Sequence, residues 1–158
     1  MKILKGLCFA FTASSGLALS HDAQANSGIA PEDCTTFIAA GEASFYGEEV
    51  AIGRDANGNR IYNPTAHNQE VFDPAGMTAA FRDRTYFGEY FRVVRGDESV
   101  IVRINDYGPF AKDDNGDYRV IDLTRGAAAE INLDIQEGHA EVQLYLCNRP
   151  SERFASIN

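Results

Sequence analysis

The chain has 158 residues, with 23 Asp and Glu against 14 Lys and Arg, and a formal net charge of −9. This acidic balance argues against nucleic acid and anionic membranes as partners, and it is compatible with a neutral glycan. The length suits one domain with a real core and is short for two.

The first 25 residues have the pattern of a secretory signal peptide. Lys2 and Lys5 form a short basic region, an apolar run covers 7–19, and an A-Q-A cleavage pattern stands at 23–25. The apolar run is too short to span a bilayer, and the rest of the chain offers no other span. We therefore expect an exported protein of the periplasm or cell envelope, with an N-terminal leader over 26–40.

Two cysteines follow the signal, Cys34 and Cys147. In an exported protein they predict one disulfide that ties the two ends of the chain together, and two free buried thiols are the alternative. Two cysteines are too few for a metal site, and His67 and His139 lack ligand spacing. We expect no metal and no cofactor.

The pattern of apolar, β-branched and turn residues predicts about six short strands and one short helix. In chain order these are a strand over 43–46, a long loop over 53–64, a strand over 77–81, a hairpin of 90–94 with 99–105, a loop over 112–117, a strand over 119–123, a helix over 125–131 with Thr124 as its N-cap, and a closing strand over 141–146. Short strands with many glycine turns favour an all-β closed barrel over a layered α/β fold.

The run Val102–Phe110 places a carboxylate at the end of a predicted strand. The apolar pattern ends at Asp106, and a Gly-Pro turn follows after Tyr107. A rigid strand can hold such a side chain where substrate reaches it, which is a suitable place for an acid/base residue. An Asp that only caps the turn is the alternative.

Five motifs stand in a set order along the chain: A-S-F-Y-G from Ala43, G-R-D-A-N-G from Gly53, E-V-F-D-P-A-G-M-T-A-A from Glu70, V-R-I-N-D-Y-G-P-F from Val102, and V-I-D-L-T from Val120. Together they resemble the rare lipoprotein A family of bacterial cell-envelope proteins. The resemblance implies a six-stranded double-psi β-barrel with one short helix over 41–148, followed by a C-terminal tail over 149–158.

The family resemblance also implies a function, which is lytic transglycosylase activity on the glycan strands of peptidoglycan. The MurNAc–GlcNAc bond would be cleaved with formation of an anhydro-sugar, and we expect the protein to act as a monomer. The matching motifs imply Asp106 and Glu70 as catalytic residues. We also expect four substrate-binding residues: Tyr46, Thr78, Asn105 and Tyr107.

Asp106 is the candidate acid/base of this reaction. It would protonate the leaving oxygen, and a proton would then be taken from the 6-hydroxyl of the sugar. To begin protonated it needs burial or a nearby negative charge, which Glu70 could supply. Glu70 could instead be a solvated loop carboxylate, and Asp122, in an apolar strand, is interpreted as a structural carboxylate. Phe45 is expected to pack in the core or stack on a sugar ring.

The sequence departs from the family pattern at two places. Phe81 stands where the family usually has a His, and 59–69 contains an insertion that carries His67. These departures keep two other functions open. One is a non-catalytic glycan-binding or wall-loosening module of the expansin type, and the other is a barwin-like protein that binds another secreted protein.

Overall fold

The computed structural model describes residues 28–46, 51–54, 56–62, 69–134 and 136–149, with only the backbone of 51–54 and 60–62. The predicted signal peptide, His67 and most of the predicted tail lie outside these residues. The elements in chain order are β1 (Cys34–Tyr46), β2 (Ala51–Arg54), β3 (Arg60–Tyr62), β4 (Thr78–Ala80), β5 (Tyr90–Arg95), β6 (Glu98–Asp106), β7 (Ile121–Thr124), α1 (Arg125–Glu130) and β8 (His139–Cys147), with 3₁₀ helices at Pro31–Asp33 and Arg84–Tyr86.

Six of these strands close into a barrel in the order β1-β7-β4-β6-β5-β8. Two pairs of neighbours are parallel, β1 with β7 and β4 with β6, and the other pairs are antiparallel. The parallel pairs join strands that lie far apart in the chain, so the barrel interlocks its two halves. The prediction of a six-stranded double-psi β-barrel with one short helix is confirmed.

The barrel interior is filled by apolar side chains that alternate with outward-facing residues along the strands. Phe91 and Val93 on β5 are fully buried, and so are Ile121 and Leu123 on β7. Each such side chain contributes about 1.5–3 kcal/mol by leaving water. The interior is therefore a packed core, and the chemistry of the protein must lie at its rim or outer surface.

Strand β1 begins at Cys34, so it includes residues that the sequence analysis assigned to the leader over 26–40. The predicted start of the barrel at 41 is therefore too late. The register of β1 against β8 shifts between Cys34 and Thr36 and again between Phe37 and Ala39. Each shift breaks the two-residue alternation that identifies a strand in a sequence, which is why this half of β1 was missed.

The predicted disulfide is confirmed. Cys34 at the start of β1 is bonded to Cys147 at the end of β8, and the two residues also face each other in the strand pairing. Both are buried in a small apolar cluster with Ile29 and Ile101. The bond thus joins the first and last strands of the barrel.

Two further segments bear on the sequence predictions. The segment predicted as one long loop over 53–64 contains part of an antiparallel hairpin, β2 with β3, which lies outside the barrel. Its strands are short, and the Gly and Asn residues around them favoured the prediction of a loop. The predicted cap of α1 is confirmed, since the Thr124 hydroxyl accepts from the Ala127 amide at 3.4 Å. No helix in the described part of the chain is long and apolar enough to cross a membrane.

Candidate functional site

Two aspartates lie in one row across four adjacent strands of the barrel. Ser44 on β1 pairs with Asp122 on β7, Asp122 pairs with Ala80 on β4, and Ala80 pairs with Asp106 on β6. Residues in one row share a face of the sheet, and here only the methyl group of Ala80 separates the two carboxyl positions. Gly108 covers the same place, since a Cβ built there would lie 3.5 Å from Ala80 Cβ and 3.8 Å from Asp122 Oδ2. The row therefore brings two acids together.

A strand irregularity sets the position of Asp106. The pairing of β4 with β6 passes from Ala79–Ile104 to Ala80–Asp106, so Asn105 is an extra residue on β6. Such bulges redirect side chains and are common beside active sites. Asp106 Oδ1 accepts from the amide of the next residue, Tyr107, at 2.7 Å, whereas a turn-capping Asp accepts from the amide two residues on. Asp106 is half-buried at the end of β6.

Asp122 has an unusual environment for a carboxyl group. Burial raises its pKa, and the negative charge of Asp106 raises it further, whereas a hydrogen bond from Ser44 Oγ and the positive charge of Arg119 oppose the rise. The net direction is upward, so Asp122 keeps its proton to a higher pH than an exposed Asp. The sequence predicts a structural carboxylate at Asp122, and the structure places this residue in the same row as Asp106.

Tyr46 adds a hydroxyl group to this pair. Burial raises its pKa well above the usual value, and the charges of Asp106 and Asp122 raise it further. Its ring stacks on Phe72, with centroids 4.8 Å apart and planes at 29°. Its buried hydroxyl oxygen has no hydrogen-bond partner among the residues that the structure describes. Tyr46 is therefore a neutral, fixed hydroxyl group near two acids, where a buried polar atom of this kind calls for a ligand or water.

Glu70 is bound to β6. Arg103 Nη2 donates to both Glu70 oxygens, at 2.9 and 2.7 Å, and Asn105 Nδ2 donates to Oε2 at 2.9 Å. Glu70 is thus an anchored carboxylate and not a solvated loop residue, and its charge is offset by the Arg103 guanidinium. Asn105 is buried, and its Oδ1 has no hydrogen-bond partner in the described part of the chain.

The other two predicted substrate-binding residues lie on either side of this network. Thr78 pairs with Arg103 in the β4–β6 register, and its backbone carbonyl accepts from the Thr124 hydroxyl at 3.1 Å. Tyr107 follows Asp106 directly and is half-buried, with the Arg84 guanidinium carbon 4.3 Å from the centre of its ring. Thr78 lies two residues before Ala80 on β4, and Tyr107 follows Asp106, so both residues are next to the aspartate row.

Phe81, in place of the family His, belongs to an aromatic cluster. Its ring meets Phe91 edge-on at 5.0 Å and Tyr86 at 5.6 Å, and its amide donates to the Asp106 carbonyl at 3.1 Å. The position therefore adjoins the acid pair through the backbone, while its side chain packs against the core. Phe81 has no group that could exchange a proton.

A groove of about 450 Å³ lies on the other side of β1, next to α1. Phe45 lines it, with the Arg125 guanidinium carbon 5.0 Å from the centre of the Phe45 ring. Side chains alternate along a strand, so Phe45 points away from the side of β1 that carries Ser44 and Tyr46. Phe45 thus stands apart from the aspartate row. Within the described residues no group of three or more His, Cys, Asp or Glu is placed to hold a metal ion.

The arrangement can move protons. Burial raises the pKa of Asp122 and so favours retention of a proton there, and a carboxyl group of this kind can donate a proton to a leaving oxygen and accept another from a hydroxyl group. The sequence predicts Asp106 as a site residue, and it gives no indication that Asp122, Ser44 and Arg103 are neighbours of the predicted site. The available signal was a charged residue inside the apolar run at 120–123, because such residues are rarely buried without a specific role.

Comparison with known proteins supports a relation to enzymes of the bacterial wall. A family model described as lytic transglycolase matches residues 38–144. The chain is 42% identical over 112 residues to a probable endolytic peptidoglycan transglycosylase RlpA of Nostoc, and 38% identical over 104 residues to the RlpA of Yersinia pestis. These matches cover 69% and 65% of this chain but 26% and 24% of the relatives, so the chain spans about a quarter of their length.

Among solved structures, the backbone is similar to an expansin of Clavibacter michiganensis. The TM-score is 0.47 and the identity 21%, and the match covers 70% of this chain and 50% of the other.

Proposed function

Because this chain belongs to the lytic transglycolase family, we propose that it cleaves peptidoglycan glycan strands between MurNAc and GlcNAc, with the Asp106–Asp122 pair as its acid/base. The observation that carries the proposal is the row that holds both aspartates, in which burial and the charge of Asp106 raise the pKa of Asp122. The named relatives are transglycosylases that act on peptidoglycan. Such a substrate implies an envelope location, with which the predicted signal peptide agrees.

The pair is proposed to hold one proton at the start of the reaction. The pKa of Asp122 is raised by burial and further by the charge of Asp106, which favours a proton on this member of the row. Asp106, at the open end of β6, is the member that exchanges it with the substrate. The proton passes to the glycosidic oxygen as the bond from C1 of MurNAc to that oxygen breaks.

The second half of the reaction restores the pair. The 6-hydroxyl oxygen of the same MurNAc bonds to C1, and its proton passes to the pair. A 1,6-anhydro sugar is formed and no water is consumed. One proton leaves the pair and one returns, so no other reactant is required.

Glu70 is proposed to position the substrate-binding groups. Its carboxylate holds Asn105 Nδ2 at 2.9 Å, which leaves the buried Asn105 Oδ1 to accept from a sugar hydroxyl. The Tyr46 hydroxyl, whose pKa is raised by burial and then by the charges of Asp106 and Asp122, is proposed to donate to the substrate. Both atoms lack protein partners in the described part of the chain, and a bound sugar would supply them.

The test is mass spectrometry of the products formed from peptide-stripped glycan strands. The wild type is expected to release anhydro-muramyl fragments, and Asp106→Asn to reduce their rate about a thousandfold while binding persists. Asp97→Asn, in the exposed turn between β5 and β6, is the matched control and should keep full activity. Binding without any anhydro product from the wild type would defeat the enzyme proposal.

The second candidate is a non-catalytic glycan-binding module of the expansin type. The observation in its favour is Phe81, whose ring is packed against Phe91 and Tyr86 where the family usually has a titratable His. The same experiment decides between the two functions, since this candidate binds the strands and leaves them intact.

A further inference from the structure

Glu42 on β1 is a largely buried carboxylate with two basic partners. Its side chain is 16% exposed, and its Oε2 atom accepts from Arg119 Nε at 3.4 Å and lies 3.2 Å from His139 Nδ1. Both contacts converge on one oxygen atom, and together they fix the position of the carboxylate, because a charge with so little exposure requires partners. We call Glu42, Arg119 and His139 the charged triad, and no step of the proposed reaction uses it.

The charged triad adjoins the aspartate row. His139 on β8 pairs with Ser44 on β1, and Ser44 pairs in turn with Asp122 on β7, so the row continues from the two aspartates to His139. Glu42 comes two residues before Ser44, and residues two apart on a strand share a face of the sheet. The triad therefore lies at the β8 end of the row, and Asp106 lies at the other end.

Arg119 links the charged triad to Asp122, which follows it by three residues. The segment that leads into β7 is bound to β1, since the Val120 amide donates to the Glu42 carbonyl at 2.8 Å. Burial raises the pKa of Asp122, and the hydrogen bond from Ser44 and then the positive charge of Arg119 oppose the rise. The Arg119 guanidinium is thus near enough for its charge to act on Asp122, although its hydrogen bond goes to Glu42.

The other ionisable groups around Asp122 and the charged triad come from three strands. Tyr46 on β1 is neutral, and Asp106 on β6 is the second member of the acid pair. Glu141 on β8 is the cross-strand partner of Glu42 and is exposed to solvent. The charge that opposes the retention of a proton by Asp122 is therefore that of Arg119.

A guanidinium that binds a carboxyl group favours its ionised form. Arg103 binds Glu70 in this way, with its Nη2 donating to both carboxylate oxygens. An opposite charge within about 4–6 Å lowers the pKa of a carboxyl group by about 1–3 pH units. If the Arg119 guanidinium turned from Glu42 to Asp122, the acid pair would lose the proton that the proposed reaction requires.

We propose that Glu42 is a positioning residue for the acid pair: it holds the Arg119 guanidinium against β1 and so prevents an ion pair between Arg119 and Asp122. The contact that carries this inference is the ion pair of Arg119 with the largely buried Glu42, which His139 also contacts. The catalytic importance of this role rests on the proposed function, but the state of Asp122 can be measured without catalysis.

The test follows the protonation of Asp122 by NMR in the full chain. The carboxyl carbon of an aspartate changes its chemical shift when the group ionises, and the Asp122 signal is identified by its loss in Asp122→Asn. We expect Glu42→Gln to lower the pH midpoint of this signal, because Arg119 is then free to pair with Asp122. Arg119→Gln is expected to raise the midpoint, because it removes a positive charge.

A double variant separates the proposed route from a direct effect of the Glu42 charge. Since Glu42 acts through Arg119, Glu42→Gln should leave the midpoint almost unchanged once Arg119→Gln is present. Glu141→Gln is the matched control, because it removes the same charge from the exposed partner of Glu42 and should change the midpoint little. Glu42→Asp, which keeps the charge on a shorter side chain, replaces Glu42→Gln if that variant does not fold, and it should lower the midpoint less.

The same variants are compared by their rates of anhydro-product formation across pH. A proton donor must carry its proton, so activity falls as pH rises through the pKa of the donor. Glu42→Gln should therefore move this fall to lower pH and reduce the rate near neutral pH by about tenfold, whereas Arg119→Gln should move the fall to higher pH. A loss of stability alone would not produce shifts in opposite directions.

Midpoints that stay unchanged, or that move in the same direction in Glu42→Gln and Arg119→Gln, would overturn the proposal. An effect of Glu42→Gln that persists in full beside Arg119→Gln would also overturn it. Opposite shifts of the midpoint without any anhydro product from the wild type would defeat only the proposed catalysis. Anhydro products together with unchanged midpoints would defeat only the positioning role of Glu42.

Discussion

Glu70 and Asp122 are half-buried carboxyl groups in the same site, and their neighbours give them opposite properties. Glu70 receives charge-assisted hydrogen bonds from Arg103 and Asn105. Asp122 receives one from Ser44, and its pKa is raised first by burial and further by the charge of Asp106. Burial therefore favours a proton on a carboxyl group to which no guanidinium is hydrogen-bonded. An acid that faces another acid is suited to proton transfer, whereas an acid that faces a guanidinium is suited to holding structure.

The comparison predicts the largest effect when the acid pair loses its second member. Asp122→Asn keeps an acceptor for Ser44 but cannot share a proton with Asp106, and we expect the rate of anhydro-product formation to fall about a hundredfold or more. Product release is measured by mass spectrometry, and circular dichroism checks the fold. Full activity in this variant would show that proton transfer by Asp106 does not need Asp122, and the contrast between Glu70 and Asp122 would then not explain catalysis.

Phe81→His places a group that can carry a positive charge next to Asp106, as Arg103 is next to Glu70. A polar ring in the cluster of Tyr86 and Phe91 should lower the free energy of unfolding by about 1–2 kcal/mol, because edge-on aromatic contacts and apolar burial are lost. Chemical denaturation measures the loss, with Phe81→Leu as the control for volume. If the activity of Phe81→His rises above that of the wild type, Phe81 lowers the activity of the site and is not a neutral replacement for His.

Glu70→Gln is expected to have a smaller effect on activity, because Glu70 positions other groups and exchanges no proton in the proposed mechanism. Loss of its charge weakens its hold on Arg103 and Asn105, and we expect about a tenfold fall in kcat/KM with little change in the pH profile. Steady-state kinetics across pH provide the measurement. A change in the shape of the profile would instead place Glu70 among the proton-transfer groups.

The smallest effect concerns stability as a function of pH. The pKa of Asp122 is raised in the folded state above its ordinary value of 3.8, so the folded chain binds more protons and loses stability as pH rises through that window. Asp122→Asn lacks this penalty. Its stability relative to the wild type should thus increase from about pH 4 upward, a trend that denaturation at several pH values would reveal. A constant difference would show that Asp122 has an ordinary pKa.

The parts of the site that could be predicted from the sequence are those defined by local pattern. An apolar run that ends before Gly-Pro indicates a strand end, and it placed Asp106 correctly at the end of β6. The adjoining motif suggested Glu70, and the structure binds that residue to the same strand through Arg103. The partner of Asp106 could not be predicted in this way, because Asp122 reaches it through pairings of β7 and β6 with β4 that no local pattern encodes.

The sequence by itself determined the class of fold, the disulfide and the carboxylate at the strand end, because each depends on residue type and short-range spacing. Only the tertiary structure decided which acids meet, since the β1-β7-β4-β6 order joins strands that are distant in the chain. It also decided that the Arg82 and Arg84 guanidinium groups lie over the rings of Tyr118 and Tyr107. Charge and burial act over distances of a few ångströms in space, and the barrel sets those distances independently of separation along the chain.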